Sequence, residues 1–150
     1  MITRLFGAST PRRDERGSAS VELVIVVPVL VIMLGLLIAG GRLWFARATV
    51  VEASQSAARA ASLERSAGTA ASAGQAAAAR VLRTEGLDCG GLDVSVDTSA
   101  FGVPVGTPAT IRSTVRCTVR FADLSLPGMP GSITVESAGA SALDTYRARS

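Results

Sequence analysis

The sequence has no histidine and no lysine among its 150 residues, and only two cysteines. Without histidine, a nucleophile triad with an imidazole base is out of reach, and so is any zinc site built on imidazole. Two cysteines alone cannot complete a structural zinc site. Cys89 and Cys117 also lie too far apart for a CxxC redox pair. All 15 basic residues are arginine, set against 12 acids for a formal charge of +3. The arginines are scattered, whereas a nucleic-acid-binding face needs them clustered. Polar groups such as Asp123, Ser125 and Asp144 stand alone, with no base or metal cluster beside them. Composition therefore speaks against an enzyme, a cofactor, a metal centre, a small-molecule substrate and a nucleic-acid partner.

What the sequence does have is one long greasy block. Between Arg16 and Arg42 the only ionisable side chain is Glu22, and Leu23 to Ala39 is an unbroken apolar run of 17 residues. With Ala19, Val21, Gly40 and Gly41 the block reaches the ~20 residues that one bilayer crossing needs. A cleaved secretory signal is the alternative, but its apolar core is usually only about 7 to 15 residues long. Arg4, Arg12, Arg13 and Arg16 precede the block against only Asp14 and Glu15. That bias predicts a cytoplasmic N-terminus and a single pass through the cytoplasmic (inner) membrane, with the remainder outside. Pro28 lies within the span and removes one backbone hydrogen bond, which predicts a local kink.

The junction reads Gly17-Ser18-Ala19-Ser20-Val21-Glu22-Leu23 behind a basic leader. This resembles the class III signal of type IV pilin-like proteins. Within that group, "RGSASVELVIVVPVLVIMLGLLIAGGRLWF" followed by "VVEASQSAARAAS" is most similar to the TadE-like family, small pseudopilins of tight-adherence (Flp) pilus systems. The resemblance is strong over about residues 12 to 65 and covers the rest only in layout. It implies that a prepilin peptidase cuts after Gly17, that Ser18 becomes the N-terminus, and that Glu22 is the acid at the fifth mature position. It further implies assembly with other pilins or pseudopilins. Ser18 departs from the bulky first residue of ordinary type IV pilins. Leu23 stands where tight-adherence pilins usually place an aromatic.

Physical chemistry agrees with that carry-over. A glycine lets an extended backbone lie close in a peptidase cleft. Cleavage would expose an amine at Ser18, which a neighbouring subunit's Glu22 can pair with. An acid in the first turn also suits the positive end of the helix dipole. The competing view of Glu22 is a charge tolerated at headgroup level.

After the span, Leu43, Ala46, Val50, Ala53, Ala57, Ala60, Leu63 and Ala67 recur at helical spacing and predict a continuation of the same helix. Its distal half is expected on the chain's own sheet. Its proximal half, near Trp44, is the candidate partner surface, with Trp44 as an interfacial anchor. Gly68-Thr69 and Gly74 interrupt the pattern, so residues 66–74 are either loop or weak helix. "AASAGQAAAARVLRTEG" predicts a second helix ending at Gly86.

Three runs then alternate with period two: Leu92 to Asp97, Thr110 to Phe121, and Ser132 to about Ala140. Leu92, Val94 and Val96 share one face. Ile111, Val115, Cys117, Val119 and Phe121 face inward on the second run, and Ile133 and Val135 on the third. Asp93, Asp97 and Glu136 can pair with the outward arginines Arg112, Arg116 and Arg120. An external compartment favours a Cys89–Cys117 disulfide over two buried thiols.

The expected organisation is a leader (1–17), a transmembrane helix (18–41), an Ala-rich extracytoplasmic helical region (42–86) and an antiparallel β domain (87–150). The fold class is α+β: one N-terminal transmembrane helix extended into an amphipathic helix, then a small antiparallel sheet of about three strands. The functional expectation is a minor pseudopilin. The alternatives are an unprocessed membrane-anchored binding protein and a minor pseudopilin of a secretion or DNA-uptake system.

Overall fold

The computed structural model describes residues 16–120 and 131–146, with residues 16–22 described by backbone alone. Leader residues 1–15, Phe121, Asp123 and Ser125 lie outside the described residues. The element order is α1 (Arg16–Ser62), α2 (Ala67–Thr84), β1 (Leu92–Asp97), a short 3-10 turn (Ser99–Gly102), β2 (Ala109–Arg120) and β3 (Ser132–Leu143). The strands form one antiparallel sheet in the order β1-β2-β3. This is the expected long apolar helix followed by a three-stranded sheet.

The 47 residues of α1 form one uninterrupted helix, about 70 Å long at the usual rise. It passes through Pro28 without a break in the helical assignment. Proline removes the donor that would have reached the Val24 carbonyl.

The distal half of α1 lies on the sheet as expected, with Ala46, Val50, Ala53 and Ala57 buried. Further along, the stripe shifts. Ala58, Ala61 and Ser62 are buried, whereas Leu63 is 64% exposed and Ala60 and Ala67 are only half-buried. An apolar repeat averaging 3.5 residues drifts around a 3.6-residue helix. α1 also packs against two partners there, and it ends at Ser62, leaving Leu63 in the turn.

Residues 67–74 are the first turns of α2. Ser66 is the N-cap of α2, and its Oγ accepts the Thr69 N–H at 3.3 Å. Such a cap satisfies one of the donors left over at a helix start. Gly74 is no breaker but a crossing point. A Cβ there would lie 2.8 Å from Val96 Cγ2 and 3.2 Å from the Ala57 carbonyl. α2 stops where the sequence suggests: Gly86 has φ +68, its N–H reaches Arg83 O at 3.2 Å, and Leu87 N–H reaches Leu82 O at 2.9 Å. These two bonds make a Schellman cap.

Both helices cover the same face of the sheet. Ile111, Ser113, Val115, Cys117 and Val119 of β2 point into the core, as does Val135 of β3. β3 extends to Leu143, which is buried, and not only to Ala140. The 3-10 turn after β1, which periodicity did not indicate, buries Ala100 and packs Phe101 against the small cluster that contains Ile111 and Leu143.

On the wet face, Arg116 joins the strands: its guanidinium lies 2.9 Å from Glu136 and 3.6 Å from Asp93. Glu136 raises the Arg116 pKa further above its ordinary value. Both bridges are exposed to solvent, which screens them, so they contribute little to stability and serve mainly to hold the strand register. Asp97 faces Arg112 in register, but its carboxylate accepts the Ser99 N–H at 3.0 Å. Hydrogen bonding from Ser99 holds its pKa below the ordinary value, with Arg112 a lesser cause. The resulting stabilisation is present above the ordinary carboxylate pKa and is lost as pH falls through the lowered one.

Candidate functional site

Helix α1 has two parts of opposite character. From Ala46 onward it is a core element. Before that, apart from the buried Ala39 and from Leu43, which packs on the edge of the core, it is exposed: Leu23, Val24, Ile25, Leu30, Leu34 and Leu37 are 57% to 71% exposed. An exposed apolar surface this long marks an interaction with lipid or protein. The chain thus has one N-terminal helix long and apolar enough to span a membrane. Trp44 is 74% exposed and Phe45 41% exposed, just past the span.

Gly17 and Ser18 fall in the first turn of α1, and Glu22 one turn further. The backbone at Gly17–Ser18 is helical, not extended. Only a terminal turn, whose N–H groups have no helical acceptors, would need to open for a peptidase. Ser18 and Glu22 are four residues apart and so occupy one helix face.

The distal seam between α1 and the sheet was not visible as a motif. The Ser113 hydroxyl donates to the Ser54 carbonyl at 2.6 Å. Ser54 Oγ donates to Val51 O at 2.8 Å and to Ser137 Oγ at 3.3 Å. One pair further on, Ser62 Oγ and Ser141 Oγ lie 2.9 Å apart. The spacing matches: eight residues of helix and four of strand each advance ~12–13 Å. Between the serine pairs sits Gly139, where a Cβ would overlap the Ser54 carbonyl group and come within 2.7 Å of Gln55 N. The only sequence signal for this seam is the run of small residues in "ESAGASAL".

Cys89 and Cys117 are joined, with Cα atoms 5.3 Å apart. The bond ties the loop after α2 to the inward face of β2. It closes a loop with a sequence separation of 28 residues, which stabilises by about 3.6 kcal/mol in the chain-entropy model. Dithiothreitol should therefore reduce the unfolding free energy of the full-length protein by about that amount and lower its denaturation midpoint accordingly. A midpoint unchanged by full reduction would refute it.

Among the described residues, shallow grooves flank the sheet. One, about 280 Å³, is lined by Arg47, Val51 and Ile133 to Glu136. Another, about 350 Å³, is lined by Gln75, Ala79, Leu92, Asp93 and Val94. Neither brings together a nucleophile and a base. Among the described residues no group of three or more His, Cys, Asp or Glu side chains is placed to hold a metal ion. The chain matches no curated protein and no solved structure. Residues 17–59, from Gly17 through the exposed apolar half of α1 to its packed Ala-rich half, match the family model described as TadE-like protein, so this chain carries a TadE-like segment.

Proposed function

We propose that this protein is a minor pseudopilin that takes part in the assembly or initiation of a tight-adherence pilus. The observation that carries the proposal is the TadE-like match over residues 17–59. That match begins at the glycine of the peptidase-type junction and covers the exposed apolar half of α1. A prepilin peptidase cuts after Gly17 and frees Ser18, and the protein then associates with other pilins or pseudopilins through α1. The arginine-rich leader keeps the N-terminus cytoplasmic, and the body lies outside the inner membrane. The protein catalyses no reaction itself and uses no cofactor.

The leader carries four arginines and two acids. Its loss removes +2 and leaves a nearly neutral chain. N-terminal sequencing of protein extracted from membranes of peptidase-containing cells should start at Ser18. An intact Met1 in that material would sink the processing reading and favour the unprocessed anchored protein.

A further inference from the structure

We infer that the membrane-proximal end of the body is a contact surface for anionic phospholipid headgroups, with Arg47 and Arg120 as the cations and Trp44 as the depth marker. The inference rests on the reading of α1 as a membrane span.

Direction comes first. Ser137 meets Ser54, and Ser141 meets Ser62, so β3 runs the same way as α1. The start of β3 therefore points back toward the span. Ser132 precedes Ser137 by five residues, ~17 Å of strand. The same distance back from Ser54 is about eleven helical residues, which reaches the neighbourhood of Leu43 and Trp44. Arg120 pairs with Ser132 in register. Arg47 lines one groove with Ile133 and Thr134. Two cations from separate elements thus share the end of the body nearest the span.

Depth comes next. Arg47 is six residues beyond Gly41, about 9 Å along the axis. The headgroup zone on each side of the hydrocarbon is roughly 5 to 7 Å deep. An arginine stem covers the difference, because such side chains lay their methylenes on apolar surface and carry the charge to the interface. The exposed Trp44 lies on the same stretch of α1, where an indole prefers headgroup depth.

Among the described residues the nearby acid is already engaged. Glu136, the acid that shares the groove with Arg47, is held by Arg116 at 2.9 Å. The Arg120 side chain lies along Gly90, where a Cβ would come within 3.0 Å of its Nε. Gly90 leaves the room that lets this stem lie flat against the body. Lipid phosphate is favoured over a free anion because the cations sit on exposed surface beside a span, Arg47 at an open groove.

The sole tryptophan, Trp44, is the probe. Full-length protein in dodecyl maltoside is titrated with dioctanoyl phosphatidylglycerol, dioctanoyl phosphatidylcholine or inorganic phosphate while Trp44 emission is followed. The expected result is a saturable change with phosphatidylglycerol and none with the other two. R47Q/R120Q should weaken it about thirtyfold, at the usual strength of an arginine near an anionic surface. R112Q, at the far end of β2, should leave it unchanged. Equal responses to the two lipids, a response to phosphate alone, or wild-type affinity in R47Q/R120Q would overturn the inference. Flotation of the same proteins with neutral phosphatidylcholine vesicles separates the two readings. Protein that does not float refutes the span and this surface with it. Protein that floats but ignores lipid charge refutes the surface alone.

Discussion

Gly139→Val should abolish the folded body, and Gly139→Ala should destabilise it by at least about 3 kcal/mol. The reason is geometric. At Gly139 the added atom meets the backbone of Ser54 and Gln55, not the tip of a flexible side chain. Relief requires moving α1 away from the sheet. That movement would stretch the 2.6 Å bond from Ser113 to the Ser54 carbonyl and part the Ser62–Ser141 pair. A buried carbonyl left without its donor adds a further cost of about 1 to 3 kcal/mol. Gly102 and Gly131 are suitable controls, because a Cβ at either meets nothing within 4 Å. The measurement is trypsin resistance and thermal unfolding of the full-length protein in detergent. If Gly139→Ala melts within a few tenths of a kcal/mol of the parent, the close approach is not a real constraint.

Glu22→Gln should leave cleavage and membrane insertion intact and sharply reduce pilus number. The amide keeps the size and removes the charge. Under the proposed processing, cleavage would depend mainly on the Gly17 side. Insertion should become slightly easier, since an acid in a span is costly. Under the proposed function, what would disappear is a charge-assisted contact to a neighbour's Ser18 amine, which is stronger in a low-dielectric setting than in water. Apolar side chains alone set the axial register of adjacent helices poorly, so the loss should appear in assembly. Pili are counted by electron microscopy beside an immunoblot for the processed form. Normal pilus numbers with normal processing would make Glu22 merely a tolerated interfacial charge.

The elements with strong periodicity were legible in the sequence. The apolar run, the three alternating strands and the Gly86 stop each follow from local chemistry that tertiary packing did not override. So did the pairing of Arg116 with Asp93 and Glu136, because opposite charges on the wet faces had only a few registers in which to meet. Cys89 and Cys117 were legible from their number and expected compartment. Glycine was where local reasoning failed. Gly74 looks like an interruption in one dimension, yet α2 continues through it because the absent side chain admits Ala57 and Val96. Gly139 looks like a weak point in a strand, yet it is where the helix backbone rests. Ser54 and Ser113 carry no periodic signal either, since a buried hydroxyl that bonds to a distant carbonyl resembles any surface serine in sequence. Leu63 misled in the other direction. Its hydrophobicity continued a stripe that the end of α1 had already terminated.

The continuity of α1 has a mechanical consequence. The residues that would cross the bilayer and the residues that form the core belong to one helix, unbroken from Leu23 to Ser62. A pull along the anchor therefore acts directly on the seam with β3, which runs in the same direction. In that geometry the serine pairs and the Gly139 contact are strained together, in shear, and do not peel apart one after another. The membrane end of the helix can be drawn toward or away from the bilayer, and the body must follow as a rigid piece.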